Sequence, residues 1–304
     1  MKIAFCLHGR LGRLKGKIIQ GQPLDDLNVP YNQFKEHLFD KNDKVDTFLH
    51  IRDPEAEQEL LNLYKPKKYF SEEYKDPDTE KFLTGDQPIA HQRKCSKAMW
   101  SRFYSLLKSV ELKKSYEKEH GFKYDCVFVC RYDLLAFEDF IFSNYDMSYF
   151  HVPFSIWHMA RMNGFLTEHL PDLWFFSSSD QMDEFANIYL DMERYSKDRT
   201  GNCINPHFAI TNKLKQQNAK VRFVLNSDVD SENDITRTAL ARMRNTKYWD
   251  FNKDKNIYFL KEDFKKYLNK SYCDLDWERT HGLQDWSFYK DKSAEYWYKN
   301  KLFT

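Results

Sequence analysis

The sequence predicts an α/β protein on a mostly parallel sheet, and three short apolar stretches carry that reading. Ile3–Leu7, Val45–Ile51 and Cys126–Cys130 are each rich in β-branched, aromatic or cysteine residues, and each stops at charge or glycine. Short apolar runs bounded by charge read as strands buried on both faces. Between them lie segments of helical periodicity, and strands alternating with helices make βαβ units with right-handed crossovers.

The first run, Lys2–Leu7, enters the turn His8-Gly9-Arg10-Leu11-Gly12-Arg13, with Lys15 just beyond. Glycine permits a tight turn and close backbone approach to a ligand, and arginines neutralise phosphates. The same residues also read as a solvated basic turn. Neither the Gly-x-Gly-x-x-Gly fingerprint nor a Walker loop is present. A Pro- and Asn-marked loop follows, then a short amphipathic segment through Phe34, Leu38 and Phe39.

The second strand ends in Arg52-Asp53, and Pro54 at the following N1 position makes Asp53 the expected N-cap. A helix carrying Leu60, Leu61 and Leu63 stops before Pro66, and Lys67–Phe70 reads as a short strand. Residues 71–92 are polar and punctuated by Pro, Gly and Asp, a loop long enough to be a lid or simply a surface segment. From about Gln92 to His120, Met99, Phe103, Leu106, Leu107 and Val110 fall at helical spacing. Arg93, Lys94, Lys97, Arg102, Lys108, Lys113, Lys114 and Lys118 decorate this helix, which predicts a solvated basic face or, alternatively, a nucleic-acid contact. Gly121 is the expected C′ residue.

The third strand ends in Arg131-Tyr132-Asp133. Ligand crevices in open α/β sheets lie at the carboxyl ends of the strands. A guanidinium and a carboxylate there suit a phosphate and a metal ion, or form a strand-end salt bridge. Beyond it, residues 137–176 alternate aromatic runs with polar residues, among them Trp157, His158, Arg161 and His169. Asp172–Ser177 reads as a strand, with Ser177–Asp180 capping a helix through Met182, Phe185, Ile188, Tyr189 and Met192. A helix from about His207 to Asn218 and a strand Val221–Leu225 complete the pattern. The region from about Thr246 is rich in Tyr, Trp, Lys and Asp and reads as short helices and turns.

Lys plus Arg number 47 against 46 Asp plus Glu in 304 residues, so no global field points to nucleic acid or membrane. Aromatics at 17% require a large core, while 31% charged residues cover the surface. The six cysteines lack Cys-x-x-Cys and zinc spacing. Cys126 and Cys130 share a strand face too far apart to bridge. These read as reduced thiols of a soluble cytoplasmic protein. Ile3–Leu7 is too short for a signal-peptide core or a membrane span.

Together the pieces resemble the small glycosyltransferase-like proteins of viruses, phages and some bacteria. The resemblance rests on Phe5–Arg10, Phe48–Asp53, Leu63–Tyr69, Lys123–Asp125, Arg131–Leu134 and Asp172–Ser177, and covers about residues 2–225. It implies a GT-A-like, Rossmann-like fold: a mixed, mostly parallel sheet flanked by helices over residues 1–245, with 246–304 an extension packed on the same domain. It implies sugar transfer from a nucleotide-sugar donor, a UDP-sugar, to an acceptor glycan or to a hydroxymethylated base in phage DNA, in the host cytoplasm. His8, Gly9, Arg10, Arg13, Arg52 and Arg131 would hold the donor. The usual Asp-x-Asp metal signature is here Arg131-Tyr132-Asp133, so Asp133 would hold manganese or magnesium and Arg131 would meet the diphosphate or donor sugar. Asp172 and His207 are the candidate bases for the acceptor hydroxyl. Non-catalytic binding of nucleic acid or of another partner is the alternative.

Overall fold

Strand β1 (Ile3–His8) is buried at every position, because its alternate residues serve two different cores. Ala4 and Cys6 face one helical layer, while Ile3, Phe5 and Leu7 face the other. The computed structural model describes residues 1–9, 11, 18–19, 22–23, 26–80, 89–136, 139–154, 170, 172–197, 206–226, 240–242 and 249–260. Within them, β1 lies in a seven-stranded sheet with β2 (Val45–Ile51), β3 (Lys68–Ser71), β4 (Cys126–Arg131), β6 (Phe150–Phe154), β7 (Trp174–Ser177) and β8 (Val221–Asn226). The short β5 (Leu134–Ala136) lies outside that sheet and pairs antiparallel with β9 (Leu240–Arg242).

The strand order is β8-β6-β7-β4-β1-β2-β3. β1 runs parallel to both β2 and β4, with Ile3 opposite Val45 and Cys126, as the three apolar runs predict. Six strands share one direction, and β7 is reversed between β4 and β6. The protein is therefore α/β with a mixed, mostly parallel sheet flanked by helices, an architecture compatible with a Rossmann-like fold.

One face is covered by α1 (Asn28–His37) and α2 (Glu57–Tyr64), whose Phe34, Leu60 and Tyr64 meet Phe5, Leu49, Phe128 and Trp174. The other is covered by α3 (Ile89–His120), α4 (Ser179–Ala186), α5 (Met192–Lys197) and α6 (Pro206–Gln216). The apolar stripe of α3 packs here as its periodicity predicts. Small side chains on β1, Ala4 and Cys6, lie under it. Beside that stripe runs a second one, also buried but polar: Arg102, Ser105, Ser109, Lys113 and Glu117.

This polar stripe departs from the expected solvated face. Lys114 and Lys118 are exposed, but Lys113 is fully buried. Its ammonium donates to Glu117 at 3.0 Å, to Ser179 at 2.6 Å and to Asp183 at 2.5 Å, joining α3 to α4 at the amino edge of the sheet. Gly121 ends α3 at φ +68, the left-handed conformation expected of a C′ residue. Asp53 does not cap the helical turn that follows it; its carboxylate reaches Leu11 instead. The described part of the C-terminal region is a β-hairpin, β10 (Trp249–Asn252) with β11 (Ile257–Leu260), where short helices and turns were expected. Asn32 of α1 donates to the Lys255 carbonyl at 3.2 Å and so fixes the hairpin's tip. Among the described residues no helix is long and apolar enough to cross a membrane.

Candidate functional site

The carboxyl ends of β1, β2 and β4 lie side by side, and His8 stands in register with Arg131. By strand alternation both side chains lie on the α3 face of the sheet. α3 runs antiparallel to these strands, so its Arg102 and Ser105 reach the same edge. Because β7 is reversed, its start is also at this edge, and Asp172 arrives two residues ahead of Trp174. The result is a polar floor at one end of an otherwise apolar sheet.

Two ion pairs frame that floor. Arg131 grips Asp133 with two parallel bonds, Nε to Oδ1 at 2.7 Å and Nη2 to Oδ2 at 2.5 Å. Arg102 pairs with Asp172 in a buried contact. Burial works against the charged Arg131 guanidinium, but the carboxylates of Asp133 and Asp172 outweigh it and raise its pKa. His8 lies among these charges with 1% of its surface exposed. Burial first, then the positive fields of Arg102 and Arg131, push its pKa well below the ordinary imidazole range, so it is neutral. Its Nδ1 has no hydrogen-bond partner among the described residues. A buried polar atom of this kind calls for an explanation, and a bound water or ligand is one.

The turn after β1 is pinned from two sides. Gly9, at φ +97, donates its amide to Ser105 Oγ at 2.6 Å, and Leu11 donates to Asp53 Oδ2 at 2.8 Å. Ser105 in turn meets His50 Nδ1 at 2.6 Å, and His50 Nε2 meets Glu72 at 3.2 Å. With Glu72 accepting from Nε2–H, the Nδ1 lone pair accepts the Ser105 hydroxyl, leaving Ser105 Oγ open to the Gly9 amide. Burial, with Arg52 and Lys108 nearby, lowers the His50 pKa to about 3, which keeps this relay in one protonation state.

The sequence-nominated residues do not all meet. His8, Gly9, Arg131, Asp133 and Asp172 gather at the floor. Arg52 turns away: its guanidinium donates to Ser101 Oγ at 2.9 Å and lies over Tyr74 and Tyr104, 4.7 and 5.3 Å from their centroids. There it lines a separate cleft of about 220 Å³ with Glu72, Trp100 and Tyr189. His207 Nδ1 bonds to the Leu170 carbonyl at 2.7 Å, steadying the segment that leads to Asp172. Arg10 and Arg13 lie outside the described residues, as do Trp157, His158, Arg161 and His169.

Sequence reading set Arg102 on the basic face of the long helix, where the structure buries it, and did not single out His50 or Ser105 for the site. The available signal was the spacing of Arg102, Ser105, Ser109 and Lys113, which repeats at helical period beside the apolar stripe. As a metal centre the floor fits poorly. Both Asp133 oxygens face Arg131, and among the described residues no three His, Cys, Asp or Glu side chains are grouped to hold an ion. No protein-family model matches the chain, and no curated protein matches it significantly in sequence.

Proposed function

We propose that the protein is a GT-A-like glycosyltransferase that binds a nucleotide-sugar donor, a UDP-sugar, over the carboxyl ends of β1, β2 and β4. One observation carries the reading: a glycine turn, a neutral buried histidine and two arginines gather at one sheet edge. That edge is where open α/β sheets take their ligands. A purely parallel dinucleotide-binding sheet would continue beyond β4 without reversal; here β7 is reversed, which favours a mixed GT-A-like sheet.

Transfer needs stabilisation of a departing nucleoside diphosphate, and preorganised cations at the point of developing charge supply it. Arg131 and Arg102 are held ready by Asp133 and Asp172, with Arg10 and Arg13 as further donor contacts from the β1 turn. In this reading Asp133 orients Arg131. With both of its oxygens on Arg131, Asp133 leaves neutralisation of the diphosphate to the arginines. Asp172 is already engaged by Arg102 and so acts as a holder of charge, while His207 positions the backbone beside it. The acceptor is a glycan or a hydroxymethylated DNA base.

A thermal-shift panel of nucleotide sugars, with and without manganese, tests donor binding. Stabilisation by one nucleotide family is expected, and no shift with any member removes the reading. On the same preparation, Asp133→Asn should cut transfer per folded molecule about 10²–10³-fold by releasing a preorganised cation. Turnover unchanged alongside a lowered melting temperature makes Asp133 scaffold alone.

A further inference from the structure

The edge strand β3 is short, but two large apolar side chains are exposed on it, Tyr69 at 46% and Phe70 at 41%. Among the described residues only β2 pairs with it. The Glu72 amide donates to the Ile51 carbonyl at 3.0 Å, so the backbone groups of Glu72 face β2. By the alternation of a parallel ladder, those of Phe70 and Lys68 do too, and the N–H and C=O groups of Tyr69 and Ser71 face outward. An open edge with exposed aromatic rings is a template for another strand.

The local sequence says which strand fits. Lys67 and Lys68 precede Tyr69-Phe70, and Glu72 and Glu73 follow Ser71. Directly opposed residues of an antiparallel pair share a face, so a two-fold axis perpendicular to the sheet must pass through a residue. An axis at Phe70 sets Phe70 against its own copy, Lys68 against Glu72 and Lys67 against Glu73. Shifting the axis to Tyr69 sets Lys67 against Ser71 and loses both charge matches. A parallel, in-register arrangement sets lysine against lysine. Lysines on an edge strand ordinarily discourage pairing; here their spacing from the glutamates favours the axis at Phe70 over the other two arrangements.

We propose that β3 docks antiparallel on β3 of a second copy of this chain, joining two seven-stranded sheets into one across an isologous interface. Lys68 and Glu72 already have partners within the chain, Glu119 and Ser115 for the first and His50 for the second. Lys67 and Glu73 are the more exposed pair, with Lys67 held among the described residues only by Asp46 at 3.5 Å, so the charge test falls on them.

Sedimentation equilibrium across a concentration series should show a monomer–dimer equilibrium. Lys67→Glu sets like charges opposite each other at two symmetric positions, and the dimer should weaken about tenfold. Lys67→Glu combined with Glu73→Lys restores opposite charges at both positions and should recover the dimer. A monomer at every concentration overturns the proposal. So does a dimer indifferent to Lys67→Glu, or one that the double variant fails to restore.

Discussion

His8, His50 and His151 are buried and held neutral, and this sets an acid limit on the fold. Burial is the main cause at each, lowering His50 to about 3 and His151 to about 4, and the arginines add to it at His8. An unfolded histidine titrates near pH 6.5, so below that value the unfolded chain takes protons the folded chain refuses. Stability is therefore full above about pH 6.5 and falls as pH drops toward the folded values. Each histidine contributes a slope of up to about 1.4 kcal/mol per pH unit. Urea unfolding at pH 7 and pH 5.5 should differ by about 4 kcal/mol, before carboxylates such as Asp139, with their own depressed values, begin to protonate. Equal stabilities at the two pH values would show that these imidazoles are solvated. None of this was legible residue by residue: His50 looks like an ordinary strand residue, and only the assembled sheet buries it against Ser105. His8 and Asp133 were legible, because a residue at the end of an apolar run has a known place in an α/β sheet.

At the scale of the element, α3 joins the two ends of the sheet through its buried polar stripe. Arg102 and Ser105 serve the carboxyl edge; Lys113 and Glu117 serve the amino edge, where Ser179 donates to Glu117 at 2.7 Å and the Tyr124 amide does so at 2.8 Å. Removing one partner of a buried charge cluster leaves the other charges uncompensated, at a cost of about 3–5 kcal/mol. Lys113→Met should fall at the lower end, because the half-exposed Lys123 already lies 3.4 Å from Asp183 and 3.5 Å from Glu117. Denaturant melts check the loss, and the nucleotide binding proposed above should be unchanged per folded molecule, since the cluster lies at the far edge from the floor. Sequence periodicity showed the apolar stripe of α3 and hid the polar one. A lysine buried among carboxylates and a lysine in water have the same local sequence signature, and only the α3–α4 contact distinguishes them.

For the whole molecule, the order of strands and helices was readable because buried strands and amphipathic helices differ in period. The reversal of β7 was not, since nothing in Trp174–Ser177 encodes direction; direction follows from where the chain comes from and what space remains between β4 and β6. The same topology governs the order in which the molecule can assemble. β1 is sandwiched between β2 and β4, and its far neighbour is complete only when the chain extends through Arg131. Long-range pairing of this kind raises the entropic barrier to folding, because a large loop must close before its contacts form. A chain made in one direction must therefore carry β1 with one flank bare until β4 and α3 have both emerged. A truncation ending at Tyr124 should show the consequence in its circular dichroism and protease sensitivity: helical content without a protected core, and aggregation through the bare flank. A protected, monomeric fragment would mean that β1 and β2 form a stable nucleus without β4.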